Sequence, residues 1–129
     1  MILVDTSVWV NHLRCGLPRL ATRLQDGEVL IHPWVMGELA CGNLRDRGQV
    51  LSLLQGLPAA VVASDEEVLL LIERDQLMGR GVGYVDVHLL ASARLSGCHL
   101  WTQDRRLAAV AMEQGLVEPE AGPEALARE

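Results

Sequence analysis

Four carboxylates in this chain stand alone inside stretches that otherwise read as buried core. Asp5 closes the run Met1-Ile2-Leu3-Val4, and no further charge appears before Arg14. Glu38 is the sole charge between Glu28 and Arg45, and Asp86 the sole charge between Arg80 and Arg94. Asp104 closes the uncharged stretch 95–103. An ionised carboxylate in apolar surroundings costs several kcal/mol unless a helix cap, a cation or a metal holds it there. Few cationic residues lie nearby in sequence, so a metal is the leading explanation. An oxygen-only cluster of three or four carboxylates selects hard cations, Mg²⁺ or Mn²⁺, over zinc. Two such ions about 4 Å apart activate a water and stabilise the leaving oxygen of an in-line displacement at a phosphodiester.

The elements that must position these acids alternate. Ile2-Leu3-Val4 reads as a strand, and Thr6 or Ser7 caps a helix through Leu13. Residues 19–25 continue helical to Gly27, and Val29-Leu30-Ile31 is a second strand ended by His32-Pro33. A helix from Trp34 breaks near Gly42-Asn43, another spans 46–55, and 59–63 suits a third strand. Ser64-Asp65-Glu66-Glu67 is a capping box opening a long helix toward Met78. After the loop 79–83 come a helix over 84–95, a strand over 98–102 and a helix over 105–114.

Apolar strands separated by helices imply an α/β fold of three layers, a parallel sheet flanked by helices. Sites in such sheets form beyond the carboxyl ends of the strands, and Asp5 and Asp104 both follow strands there. Asp86, in the first turn of its helix, shares a face with Leu89, Leu90 and Ala93. Glu38 shares a stripe with Trp34, Val35 and Cys41, so it too is expected to face inward. Plainer roles compete: Asp5 and Asp104 suit helix N-caps, and Asp86 suits a helix dipole. Mid-helix Glu38 has no such alternative, and the four coincidences together favour one shared cluster.

The 129 residues are expected to form a single domain, 1–129, with 116–129 a loosely attached tail. Half the residues are hydrophobic and 22% are charged, a soluble globular balance that argues against disorder. The apolar stretch 29–44, charged only at Glu38, is broken by Pro33, Gly37 and Gly42, so neither a membrane span nor a signal peptide is expected. Cys15, Cys41 and Cys98 form no close pair, which suits reduced thiols and a cytoplasmic location. Net charge is −6 and all 11 cationic residues are arginine, so any nucleic acid must be held locally, by arginines and bound metal, rather than by bulk field. Arg14, Arg45, Arg47, Arg80, Arg105 and Arg106 are the candidates for phosphate contacts. The four histidines lack metal-site spacing, Cys41 and Cys98 read as small core residues, and Trp9, Trp34 and Trp101 as core anchors. Gly79, Gly81 and Gly83 lack the dinucleotide-binding pattern. A receiver domain or a haloacid-dehalogenase-type phosphatase needs a lysine this chain does not have.

Val4-Asp5-Thr6-Ser7 after a short strand, the lone Glu38, Asp86 opening Val87-His88-Leu89-Leu90-Ala91-Ser92-Ala93, and Trp101-Thr102-Gln103-Asp104 together resemble PIN-domain ribonucleases. The similarity extends from Met1 to about Gly115 and is nearest to VapC-type toxins. The resemblance implies that Asp5, Glu38, Asp86 and Asp104 form a metal-binding acidic site, with Thr102 as a hydroxyl beside it and Thr6 or Ser7 supporting Asp5. It also implies Mg²⁺- or Mn²⁺-dependent endonucleolytic cleavage of RNA, a homodimer, and inhibition by a small cognate antitoxin. A housekeeping RNA-processing nuclease and a catalytically idle binding domain are the alternatives. Two departures are His88, where an aliphatic residue is usual, and Arg105 directly after the fourth acid.

Overall fold

The computed structural model describes residues 1–119. Its centre is β1 (Ile2–Val4), three apolar residues buried on both faces. So short a strand is held by pairing on both sides. β1 runs parallel to β2 (Val29–Leu30) on one flank and to β3 (His99–Trp101) on the other, giving the order β2-β1-β3. Ile2 lies opposite Val29 and His99, and Leu3 opposite Leu30 and Leu100. The first crossover carries α1 (Thr6–Cys15) and α2 (Pro18–Gln25). The second carries α3 (Pro33–Ala40), α4 (Arg47–Gln55), α5 (Asp65–Arg74) and α6 (Tyr84–Ser96), and α7 (Arg105–Glu113) follows β3. Three parallel strands flanked by helices are the expected α/β architecture.

The chain leaves β1 toward β2 and returns past it to β3, so the crevice between the carboxyl ends of β1 and β3 is a topological switch point. Asp5 N–H donates to the Trp101 carbonyl at 2.9 Å, which carries the ladder one residue beyond β1 and brings Asp5 beside Thr102. Inside, Val8, Trp9 and Leu20 from the first crossover join Val35, Leu54, Val68, Leu89, Leu90, Leu107 and Val110 in one buried cluster. α6 is buried along seven consecutive residues, Val87 through Ala93, and ends at Gly97, whose φ of 64° is the left-handed cap that glycine adopts without a Cβ penalty.

Several local expectations need correcting. Residues 59–63 form no strand. Ala59 makes a single bridge to Ile31, after which Val61 N–H turns to Ser96 Oγ and Ala63 N–H to Ser92 Oγ. Hydroxyls of α6 thus capture donors that a ladder would need. α5 opens with the predicted reciprocal Ser64 and Glu67 cap but stops at Arg74, not near Met78, because Gln76 takes a positive φ of 51°. Trp34 is 41% exposed rather than a core anchor, and Cys41, which caps the end of α3, is exposed too; Trp9 and Cys98 are buried.

The expected loose tail does not begin at 116. Leu116 is buried, its carbonyl accepts Leu100 N–H at 2.7 Å, and Glu118 pairs with Arg19 and Arg23 of α2. An apolar pair finishing the core beside β3, followed by an acid matched to two arginines, holds this stretch down. The remainder of that expectation, 120–129, lies outside the described residues. No helix among the described residues is long and apolar enough to cross a membrane.

Candidate functional site

The carboxyl edge of the sheet gathers the four acids from four elements. Asp5 ends β1 and is the sole one that is buried, at 7% exposure. Its Oδ2 accepts the Ser7 hydroxyl at 2.8 Å and the Thr102 hydroxyl at 2.7 Å. Thr102 Oγ1 in turn accepts the Asp104 N–H at 3.0 Å, and Ser7 Oγ accepts the Gln103 N–H at 3.0 Å. Two hydroxyls therefore tie the end of β1 to the turn after β3. Asp104 caps α7, its Oδ1 accepting from Arg106 N–H at 2.9 Å and Leu107 N–H at 3.0 Å. The helix-cap role and a place at the site thus coexist in one residue.

Glu38 is exposed rather than turned inward. The inner stripe of α3 is Val35 and Leu39, and Glu38 stands to one side of it, facing α1, where Thr6 Oγ1 donates to its Oε1 at 2.7 Å. Asp86 is half-buried in the first turn of α6, and its Oδ2 accepts Gly83 N–H at 2.8 Å. The glycines before it serve that approach. Gly81, with φ of +79°, lies so close to the Arg106 side chain that a Cβ there would collide with it. They bend the loop onto α7 and deliver Asp86, which is a structural role rather than a phosphate cradle.

The four acids thus share one pattern. Each has one carboxylate oxygen held by a protein donor, while the other has no donor among the described residues. Asp86 is held above the usual carboxylate range, chiefly by burial, against the pull of the Gly83 N–H, with Asp5, Asp104 and Glu38 each adding like charge. The four acids thus lie near enough for the charge of three to bear on the fourth. In chemistry the donor set fits a hard divalent cation: oxygen only, negatively charged, and anchored on one side. In spacing it is looser, since among the described residues no three such side chains stand close enough together to grip one ion. The acids therefore suit such an ion in kind, and the exposed side chains of Glu38 and Asp104 would have to shift to close around one.

A raised folded-state pKa means that the folded protein keeps the Asp86 proton to higher pH than the unfolded chain does. Stability is therefore lost as pH rises from the ordinary value of 3.8 through the folded pKa, and above that the penalty is fully present. Asp86→Asn removes it while keeping an oxygen for the Gly83 N–H. In chelator at pH 7 the variant is expected to melt higher than wild type, by roughly 3–5 °C if about 1 kcal/mol survives solvent screening. Equal or lower melting would show that the like charges do not bear on Asp86.

Of the candidate arginines, Arg80 is engaged by Glu113 in a two-point ion pair and Arg47 by the Ala40 and Gly42 carbonyls. Arg105 and Arg106 open α7 directly after Asp104 and make no ion pair among the described residues. A second constellation escaped the sequence. Asp65 Oδ1 accepts the Tyr84 hydroxyl at 2.7 Å and lies 3.1 Å from His88 Nε2, while His88 stacks under Trp34. Its one readable sign was Trp34 four residues before Glu38, on the same stripe.

Residues 2–113 match the family model described as PIN domain. The chain is 49% identical over 117 residues to Ribonuclease VapC32 of Mycobacterium tuberculosis, in strains CDC 1551 / Oshkosh and ATCC 25618 / H37Rv alike, covering 90% of this chain and 94% of the relative. Among solved structures, the crystal structure of PAE2754 from Pyrobaculum aerophilum superposes with a TM-score of 0.58 at 22% identity, over 84% of this chain and 77% of that one. At that identity the likeness speaks to the fold.

Proposed function

The chain belongs to the PIN-domain family, and from that membership we propose that it is a metal-dependent endoribonuclease, the toxin of a VapC-type toxin–antitoxin pair. The observation that carries the chemistry is the pattern of half-satisfied carboxylates. Asp5, Glu38, Asp86 and Asp104 each keep, at one edge of the sheet, an oxygen with no donor among the described residues, and Asp86 feels the charge of the other three. When bound there, Mg²⁺ or Mn²⁺ supplies a hydroxide at neutral pH and Lewis-acid stabilisation of the phosphodiester oxygens. The residues of the chain provide the frame. Ser7 and Thr102 fix the orientation of the Asp5 carboxylate, Thr6 fixes Glu38, and the Gly83 N–H fixes Asp86. Such supporting hydrogen bonds hold a ligand set in place before the substrate arrives. Arg105 and Arg106, directly after Asp104 and without an ion pair among the described residues, are cations placed to meet RNA phosphates.

Purified protein is expected to cut single-stranded RNA in Mg²⁺ or Mn²⁺ and to fall silent in excess EDTA. Undiminished cleavage in EDTA would overturn the reading, since carboxylates alone do not generate hydroxide at neutral pH.

We also propose a homodimer and a small cognate antitoxin as partners, acting in the cytoplasm. Support comes from apolar side chains left in water: Leu69 and Leu70 on α5 are 57% and 67% exposed, and Val61 and Val62 in the segment before it 52% and 49%. Light scattering should read a dimer, and a larger particle when the protein is co-expressed with the product of the neighbouring gene. A monomer unmoved by that product would rule this out.

A further inference from the structure

Trp34 and Tyr84 are large aromatic side chains that remain 41% and 40% exposed. Both sit at the carboxyl edge of the sheet. Trp34 is in the first turn of α3, one turn before Glu38, and Tyr84 opens α6 two residues before Asp86. Their rings are built into an ordered unit. The Trp34 indole lies near-parallel on the His88 imidazole, centroids 5.1 Å apart and planes at 25°. Tyr84 stands edge-on to both, 6.4 Å from Trp34 and 4.8 Å from His88. Beneath them His88 is 2% exposed, and Asp65 Oδ1 takes both the Tyr84 hydroxyl and His88 Nε2.

We propose that Trp34, backed by His88 and flanked by Tyr84, is the platform on which the site stacks one unpaired base of its RNA substrate, next to the phosphate that is cut. This rests on the ribonuclease reading above. Single-stranded RNA is recognised by bases splayed out onto aromatic rings, and such stacking tolerates any base because every base has a π-face. The near-parallel stack already made with His88 is the geometry that a base would extend. The charges on the residues around it, Asp65 within the unit, Glu38 one turn on and Asp86 two residues after Tyr84, are carboxylates, which disfavour a bare phosphate against the ring but not a neutral base. Tyr84, His88 and Asp65 hold the indole in place before binding, so little side-chain entropy remains to be lost when a base arrives. His88 and Asp65 are positioning residues in this scheme, and the departure of His88 from an aliphatic side chain finds its use.

The test compares wild type, Trp34→Leu and Trp34→Phe on two short synthetic RNAs of one mixed sequence: the intact strand, and strands carrying one abasic site beside the cleaved bond. Melting curves first establish that both variants fold. Trp34→Leu should lower kcat/KM on intact RNA by roughly 5- to 100-fold, mostly through KM, while Trp34→Phe recovers most of it. On the abasic strand wild type should fall to the level of Trp34→Leu, and the substitution should cost nothing further. Wild-type cleavage with an unchanged Trp34→Leu rate, or an equal loss on intact and abasic strands, overturns the platform and leaves the ribonuclease reading intact. A Trp34→Leu protein that cuts normally but no longer binds the neighbouring gene's product assigns the surface to a protein partner and likewise overturns it. Wild type that neither binds nor cuts RNA overturns both.

Discussion

Asp5→Asn is expected to fold normally and to cut RNA at least about a hundredfold more slowly, a loss of roughly 3 kcal/mol of transition-state stabilisation. The prediction follows from how Asp5 is held. Its Oδ2 already accepts two hydroxyls, so an asparagine oriented with its oxygen there keeps both hydrogen bonds and the chain path. What it loses is the negative oxygen on the open side, replaced by an NH₂ that repels a cation. Asp5 is also the most buried of the four acids, so the charge it contributes is the least screened by water. Melting curves should show wild-type cooperativity while initial rates on labelled RNA collapse. A variant within threefold of wild type would return Asp5 to a purely structural post at the start of α1.

The second large effect concerns stability in acid. His32 is fully buried: its Nδ1 accepts the Trp34 N–H at 3.1 Å, so it caps α3, and Nε2 lies 3.0 Å from Ser92 Oγ. The accepting nitrogen must be unprotonated, so the ring is neutral. Burial first, and then the neighbouring His88, lower its pKa from 6.5 to about 4. The unfolded chain thus binds a proton that the folded chain refuses. Stability is complete above the unfolded value and is lost as pH falls toward the folded one, by about 2–3 kcal/mol once pH 4.5 is reached. Denaturant titrations at pH 7 and at pH 4.5 should show that loss. In His32→Asn, whose amide oxygen still caps the helix, the slope should be shallower by that amount, even though lost ring packing lowers stability at neutral pH. Parallel slopes for the two proteins would refute the assignment.

How far the sequence carried these conclusions differs residue by residue. Asp5 and Asp104 were readable because a charge at or just past the end of an apolar strand has one edge of the sheet to occupy, and the pairing of β1 with β3 then brings the two together. The family likeness was readable for the same reason, since the four acids keep their order and their apolar settings. Glu38 was found for a reason the structure revises. Its isolation in an apolar run marked it, yet periodicity names the members of a stripe without saying where that stripe meets water, and Glu38 turns toward α1 and Thr6. Trp34 was misread by the same logic. The strand expected at 59–63 failed because Ser92 and Ser96, some thirty residues on, take its backbone donors. Contacts of that kind leave no local trace. The stacked unit of Trp34, Tyr84, His88 and Asp65 joins three helices, and nothing in any one of them announces the other two.

The hydroxyl that joins Asp5 to Thr102 spans 97 positions of the chain. A ribosome adds roughly 5–20 residues per second, so about 5 to 20 seconds separate the synthesis of the two. Throughout that interval β1 has no β3 beside it, Asp5 has lost one of its two hydroxyls, and Asp104 does not yet exist. An interrupted or half-made chain consequently lacks part of the acidic edge of the sheet. That edge is completed late, when β3 slots in along the free flank of β1.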